Sequence, residues 1–248
     1  MVVLPKPSPG SRGNWLHRIN WPSSLINWRS MQMFGHGARQ PKLRLLVHKP
    51  TFACTAKCVG CENRRKLHRA SRRNELLTHE QTLELYTQAN ELGVSELHIS
   101  GGEPTLYKRL PELVAHAKSL GWFVMINSNG SQFVRQDLCE RLFDAGLDGV
   151  MLSLYSHREE VHDGMRQQRG LYEKAMKGLE TLARYRRERN PEFFIVTQSI
   201  LSRDNLFDAA DLLKQNGEMG SDVQLFSYQE GDFQAQYGGP TGAESTVG

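Results

Sequence analysis

The chain has 248 residues, of which 39% are hydrophobic and 23% are charged; this composition is typical of a globular protein and the length suffices for one large α/β domain. It contains no apolar run of the roughly 20 residues that a membrane helix needs, and its first residues lack the features of a secretory signal. Only four cysteines occur, which argues against a disulfide framework and predicts a reducing, cytoplasmic location.

The net charge of +4 conceals an uneven distribution. Residues 1–75 contain 15 Lys and Arg but only two acidic residues, a formal charge of +13, so the remainder carries −9. The densest basic run is 64-RRKLHRASRR-73. Such a run is consistent with a solvated loop, an anionic substrate or an acidic protein partner, and the residues leave these alternatives open.

The first predicted elements are an irregular stretch, a strand and a helix. Residues 1–40 are rich in Pro, Gly, Ser and Trp without a sustained period, and we interpret them as an irregular N-terminal extension. The apolar run at 43–49 predicts a buried strand that ends at Pro50. Further along the chain, Thr78 and Gln81 have the spacing of a capping box, which predicts the start of a helix.

The rest of the chain continues the same alternation of strands and helices. Strands are predicted at 94–100, 122–127, 148–154, 193–200 and 222–227, and helices at 109–120, 133–145, 171–188 and 205–216, with no helix between the fourth strand and residue 171. Asn216 and Gly217 are expected to end the last helix. Residues 231–248 are polar and rich in Gly, so we expect a disordered tail.

Six strands that alternate with helices indicate an α/β fold with parallel strands joined by right-handed crossovers. In such folds the chemistry is at the C-terminal ends of the strands. The unusual residues of this chain are predicted to lie there: the cysteines after the first strand, Gly-Gly-Glu-Pro after the second, Ser-Asn-Gly after the third, Ser153 on the fourth and Gln198 on the fifth.

Three cysteines, Cys54, Cys58 and Cys61, form a C-x3-C-x2-C motif. Their thiolates suit zinc, Cu(I) or an iron–sulfur cluster. A closed zinc site needs four ligands, which His68 could complete, whereas Cys139 lies in a predicted helix and is expected to be a buried small apolar residue. A [4Fe–4S] cluster with three cysteine ligands keeps one iron open for a small molecule.

The motif C-x3-C-x2-C after the first strand, followed by 100-SGGEP-104 after the second, resembles the radical S-adenosylmethionine (radical SAM) superfamily. The resemblance covers roughly residues 43–227 and implies a partial (β/α)6 barrel, with a radical SAM core at 41–230. It also implies that the three cysteines bind a [4Fe–4S] cluster. Reductive cleavage of S-adenosylmethionine would then give a 5′-deoxyadenosyl radical that abstracts hydrogen from a substrate.

The resemblance also implies residues that contact S-adenosylmethionine. Gly101, Gly102 and Glu103 match the segment that meets the methionine amino group, and a carboxylate is a suitable acceptor for an ammonium. Asn129 matches a contact to the ribose or the carboxylate. Arg166 matches an arginine that pairs with the methionine carboxylate, a task suited to the guanidinium fork.

Other positions are less specific. Ser153 matches a polar position on the fourth strand, and Gln198 is a further candidate on the fifth. Three residues are possible substrate-side groups, although packing or surface roles are the more common ones for such residues: His48, His98 and Tyr155.

Two departures from the family pattern concern Gly60 and the number of cysteines. Gly60 stands where an aromatic residue often packs near adenine, so that contact is not predicted here. Beyond the motif the chain has only Cys139; if the chain is complete, it carries no auxiliary cluster, and redox-neutral chemistry is easier to accommodate than a net oxidation.

The expected partners are an acidic electron donor of the flavodoxin or ferredoxin type, docking on the basic run, and a small-molecule or peptide substrate that the sequence does not identify. No membrane partner is expected. The alternative function is a zinc-containing nucleic-acid-binding module that places the run 64–73 on phosphates, although this run lacks interleaved aromatic residues.

Overall fold

The computed structural model describes residues 43–58, 61 and 76–227. The expected extension 1–40, the basic run 64–73 and the expected tail 231–248 lie outside the described residues, as do Gly60 and His68, so the predictions about them stay predictions. No helix among the described residues is long and apolar enough to cross a membrane.

The described residues form an α/β fold around one sheet of six parallel strands in the order β1-β2-β3-β4-β5-β6. The strands are β1 (Leu45–His48), β2 (Glu96–Ile99), β3 (Phe123–Ser128), β4 (Gly149–Ser153), β5 (Phe194–Leu201) and β6 (Asp222–Ser227). Strands that follow one another in the chain are neighbours in the sheet, and the sheet is open. The predicted partial barrel of six parallel strands is therefore confirmed.

Within the described residues, six α-helices connect the strands. They are α1 (His79–Glu91), α2 (Leu110–Ser119), α3 (Gln136–Asp144), α4 (Glu159–Arg166), α5 (Leu171–Arg189) and α6 (Ala209–Glu218). Two short 3₁₀ helices, Pro104–Leu106 and Leu206–Asp208, precede α2 and α6.

The sequence pattern does not predict α4, which has only eight residues and contains Gly164. An eight-residue helix has too few turns to produce a clear period, and a Gly inside it lowers its intrinsic helix propensity. Its available signals were the acidic first turn, Glu159 and Glu160, and the i,i+4 pair His162 and Arg166, which form its buried residues.

The capping box at the start of α1 is confirmed, whereas the predicted end of α6 is wrong. Thr78 Oγ1 accepts a hydrogen bond from the Gln81 amide, and the Gln81 side chain accepts one from the Thr78 amide. Helix α6 continues through Gly217 to Glu218. The positive φ needed to leave the helix occurs at Gly220, where φ is 74°, so this glycine rather than Gly217 ends it.

One face of the sheet is covered by helices α1, α2, α3 and α5. Alternate residues of the central strands are buried against α1, α2, α3 and α5 in a single apolar core, among them Leu97, Ile99, Val124, Ile126, Val150 and Leu152. Cys139 on α3 is fully buried in this core, and burial raises the pKa of its thiol to about 12. It is a small apolar residue, as predicted.

The residues between these alternate positions point to the other face of the sheet. Along the register on that face, Val47 pairs with His98, and Phe194 lies opposite Gly149. Val47 and Phe194 remain 55% and 50% exposed. We call this surface the open face.

Candidate active site

The loop that follows β1 carries two of the motif cysteines, Cys54 and Cys58, and is held from two sides. We call residues 49–58 the cysteine loop. On one side, Gly102 N donates to Thr51 O at 2.9 Å and Glu103 N donates to Ala53 O at 2.7 Å. On the other, Lys57 N donates to the carbonyl oxygen of Arg166 at 3.0 Å. The loop is thus fastened both to the turn after β2 and to the C-terminal end of α4.

The two glycines that follow β2, Gly101 and Gly102, lie close to this loop. A Cβ placed on Gly102 would overlap the backbone carbonyls of Phe52 and Ala53. Gly101 has a φ of +136° and lies against the Thr51 carbonyl. Any larger residue at either position displaces the chain that leads into Cys54. Their predicted contact with a methionine amino group stays a prediction.

Glu103 is fully buried, and its carboxylate accepts four hydrogen bonds. Its Oε1 accepts from Thr105 N at 3.2 Å, Thr105 Oγ1 at 2.5 Å and Ser128 Oγ at 2.8 Å. Its Oε2 accepts from Asn129 N at 2.8 Å. Further acceptor capacity is therefore at Oε2. Thr105 and Ser128 were not singled out in the sequence, where each is an ordinary polar residue near a strand end.

Asn129 connects the end of β3 to the cysteine loop. Its Nδ2 donates to Thr55 Oγ1 at 2.9 Å and lies 3.9 Å from the Cys54 sulfur. Its Oδ1 accepts from Ser131 N at 3.0 Å. The side chain is thus oriented by the loop and directed at a thiol, a position from which it can tune a sulfur-bound group.

Arg166, the last residue of α4, is only 6% exposed. Its guanidinium carbon lies 4.8 Å above the centre of the Tyr155 ring, and its buried Nε has no hydrogen-bond partner. Burial lowers the pKa of Arg166, but nearby Tyr155, Cys58 and Cys54 outweigh it and raise the pKa above its usual value. A buried cation with an unused donor beside the cysteines is equipped to bind an anionic group.

His162 lies one turn before Arg166 on the same buried face of α4. Its Nδ1 accepts a hydrogen bond from Tyr155 N at 3.2 Å. Burial, with a further contribution from the Arg166 charge, lowers the pKa of His162 to about 3. The imidazole is therefore neutral at pH 7, and its proton is on Nε2. His162 was not predicted as a site residue.

Of the remaining predicted residues, only Tyr155 contacts this group. Ser153 and Gln198 are register partners on the open face, and Gln198 Nε2 donates to Gln224 Oε1 at 3.3 Å. His48 Nδ1 is 2.7 Å from the Tyr86 hydroxyl, and burial lowers the pKa of His48 to about 4. His98 pairs with Glu96 at 2.7 Å. His48 and His98 are thus engaged with protein partners, whereas Tyr155 lies beneath Arg166.

The three cysteines fit an iron–sulfur cluster. All three are half-buried, and Cys54 Sγ accepts a hydrogen bond from Ala56 N at 3.4 Å. Burial raises the pKa of the Cys54 thiol. Within the described residues no three His, Cys, Asp or Glu side chains are placed to hold a single metal ion, but the cysteines of a [4Fe–4S] cluster bind separate iron atoms.

Comparisons with known proteins agree with this geometry. The family model "Radical SAM superfamily" matches residues 49–217. A PqqA peptide cyclase from Bradyrhizobium diazoefficiens is 28% identical over 172 residues, which is 69% of this chain and 43% of the relative. A PqqA peptide cyclase from Streptomyces rochei is 41% identical over 107 residues, 42% of this chain and 28% of the relative. This chain thus spans less than half the length of these relatives.

Among solved structures, SuiB from Streptococcus suis has a similar fold, with a TM-score of 0.62 and 19% identity over 76% of this chain and 40% of SuiB. SuiB has also been solved bound to the precursor peptide SuiA and bound to S-adenosylmethionine, with TM-scores of 0.61 and 0.58. The family match extends over more than half of the chain and contains the cysteine loop, Glu103, Asn129 and Arg166. The chain is therefore an enzyme of the radical SAM superfamily, which uses a [4Fe–4S] cluster and S-adenosylmethionine.

Proposed function

We propose that this chain provides the radical-generating core of an enzyme that modifies a peptide. The sequence left a small molecule and a peptide open as substrates. The relatives favour the peptide, because two are peptide cyclases and a structural neighbour has been solved with a precursor peptide. The zinc-containing nucleic-acid-binding module has no support among these comparisons.

In this proposal Cys54, Cys58 and Cys61 hold the [4Fe–4S] cluster. When bound and reduced, the cluster supplies the electron that cleaves S-adenosylmethionine to a 5′-deoxyadenosyl radical, which abstracts hydrogen from the substrate. The observation that carries the assignment is the buried Arg166, whose Nε lacks a partner beside the cysteine loop. Arg166 pairs with the methionine carboxylate, and the Oε2 atom of Glu103 accepts from the methionine ammonium.

The other residues orient these groups. Asn129 holds the loop at Thr55 and directs its amide at Cys54. The Tyr155 ring covers one side of the Arg166 guanidinium and excludes water from it, which strengthens the pairing with an anion. Ser153 and Gln198 provide polar groups on the open face, where a substrate can approach the C-terminal ends of β4 and β5.

The electron donor in this proposal is an acidic protein of the flavodoxin or ferredoxin type. It docks on the basic run 64–73, which follows the last motif cysteine in the chain. Opposite charges mainly raise the association rate of such pairs, and salt screens the attraction over about 8–10 Å.

An anaerobic experiment tests the proposed function. The reconstituted protein should be brown, with broad absorption near ~400 nm, and dithionite with S-adenosylmethionine should yield 5′-deoxyadenosine. Synthetic peptides with deuterated side chains then serve as probes. Deuterium in the 5′-deoxyadenosine supports a peptide substrate. If metabolite extracts stimulate cleavage but no peptide donates deuterium, the peptide assignment is wrong, while absence of cleavage contradicts the radical function itself.

A further inference from the structure

A polar network with a buried carboxylate at its centre ties the segment after β4 to the loop after β5. Asp208 is only 5% exposed, and its carboxylate accepts from the Ser156 hydroxyl and from the Arg158 guanidinium. Arg158 contributes both Nε and a terminal nitrogen, at 3.1 and 2.9 Å from Oδ1. Ser156 Oγ in turn accepts from Arg158 N at 2.9 Å. This fork on a carboxylate is the most directional pairing that an arginine makes.

Asn205 reinforces the same connection. It is 1% exposed, and its Nδ2 donates to the carbonyl oxygens of Tyr155 at 2.6 Å and Ile200 at 2.9 Å. Its Oδ1 accepts from Ser202 N at 2.7 Å. The Tyr155 carbonyl also accepts from Ser199 Oγ at 3.2 Å. Both polar atoms of the Asn205 side chain are thus bonded: the bond to Tyr155 holds the segment after β4 against this loop, and the bonds to Ile200 and Ser202 fix the loop to the end of β5.

The segment held by this network leads directly to Arg166. Tyr155 places its ring beneath the Arg166 guanidinium, and its amide is bonded to His162, one turn before Arg166. Arg158 immediately precedes the first residue of α4. The network therefore fixes the start of the helix and also the aromatic surface on which the guanidinium rests.

We propose that Asp208 and Asn205 are positioning residues, which preorganise Arg166 for the carboxylate of S-adenosylmethionine by holding Tyr155 and the start of α4. The inference rests on the proposed role of Arg166 in binding that carboxylate. A guanidinium on a four-bond side chain loses rotamer entropy when it binds. A fixed helix and a fixed ring reduce that cost before the ligand arrives.

The test is the affinity of the reconstituted protein for S-adenosylmethionine, measured by anaerobic calorimetry. Asp208→Asn is expected to weaken binding about ten-fold with the iron content unchanged, and Ser156→Ala, a milder change, about three-fold. Arg158→Lys keeps the charge but loses the fork, so an intermediate loss is expected. Asp204→Asn changes an exposed carboxylate of the same loop and should leave the affinity as it is.

A double-mutant cycle separates positioning from general stability. In an Arg166→Ala background, Asp208→Asn should cost less than two-fold, because the group that it positions is gone. An equal loss in both backgrounds, or no loss in the Asp208→Asn single variant, overturns the inference. If Arg166→Ala itself leaves the affinity unchanged, the proposed role of Arg166 is wrong. The two failures are thus distinguishable.

Discussion

The turn after β2 and the end of α4 both hydrogen-bond to the cysteine loop, but their charged side chains differ in how fully they are bonded. Glu103 is buried and accepts four hydrogen bonds from within the protein. Arg166 is equally deep but has an unused donor at Nε. Buried polar groups are usually paired, so the Glu103 side is largely complete as folded, whereas the Arg166 side is prepared for a ligand.

The largest expected effect concerns the loop that both sides hold. Cys54→Ala, Cys58→Ala or Cys61→Ala should each abolish the cluster, because three thiolates are all that the motif supplies. Iron and sulfide counts on anaerobically purified protein measure this. Cys139→Ala is the matched control, since this thiol is buried in the core, and it should retain full iron. Full cluster content in the Cys58→Ala protein would contradict the assignment of Cys58 as a cluster ligand.

Glu103→Ala sharpens the comparison at the level of folding stability. It leaves four donors without their acceptor in a fully buried site, and we expect a loss of about 3–5 kcal/mol in the free energy of unfolding. Urea denaturation of the cluster-free protein is the measurement, with Glu91→Ala, an exposed glutamate at the end of α1, as control. If the free energy of unfolding falls no more than in the control, the four hydrogen bonds to Glu103 do not stabilise the fold as expected.

Arg166→Ala should act on the ligand more than on the fold. Hydrogen bonds to charged groups contribute about 1.5–3 kcal/mol, so affinity for S-adenosylmethionine should fall about 10- to 100-fold with the cluster present. The loss in the free energy of unfolding should be smaller than for Glu103→Ala, because Arg166 Nε has no hydrogen-bond partner in the protein and its removal leaves no acceptor unsatisfied. Arg169→Ala, an exposed arginine in the same segment, should bind normally. Equal affinities in the two variants would refute the assignment.

The α4 side should also respond to acid through His162. Its pKa in the folded protein is about 3, below the ordinary 6.5 or so, so the unfolded chain takes up a proton first as pH falls. Stability is therefore lost from about pH 6.5 downward toward pH 3, by about 2 kcal/mol at pH 5 from this residue.

His162→Asn keeps an acceptor for the Tyr155 amide but does not titrate, so its stability should fall less steeply between pH 7 and pH 5. Denaturation midpoints at several pH values measure the slope. His48→Asn is the companion variant, because burial lowers the pKa of His48 to about 4, and it should remove a similar part of the slope. If the slope of stability against pH is unchanged in both variants, His162 and His48 are not buried in the neutral form.

The smallest expected effect is a rate effect at the basic run. Reversal of Arg64, Arg65, Lys66, Arg69, Arg72 and Arg73 to Glu should slow turnover with flavodoxin several-fold at low salt and flatten its salt dependence. Turnover with dithionite, which needs no docking, should change little. Reversal of Arg186, Arg187 and Arg189 on α5 is the control. If both reductants lose activity equally, the run serves the substrate or the fold.

Helix α1, whose start was predicted, and helix α4, which was not, differ in how far apart in the chain their defining contacts lie. Thr78 and Gln81 cap α1 through hydrogen bonds between residues three apart, and such spacing is visible in a sequence. Helix α4 has only weak local signals, and the burial of its His162 and Arg166 depends on contacts with Tyr155 and the cysteine loop. The sequence matches Gly101 and Gly102 to a cofactor contact, whereas their close approach to the backbone of the cysteine loop is visible only in the fold.

By itself, the sequence determined the alternation of strands and helices and the family, because local periodicity and short spacings carry this information. The three cysteine ligands are a prediction from the same spacings. The tertiary structure decided how the site is completed. Ser128 meets Glu103 across 25 residues of chain, Asn129 meets Thr55 across 74, and Arg158 meets Asp208 across 50. Such partners are brought together only when parallel strands align their C-terminal ends, so no local pattern in the chain specifies them.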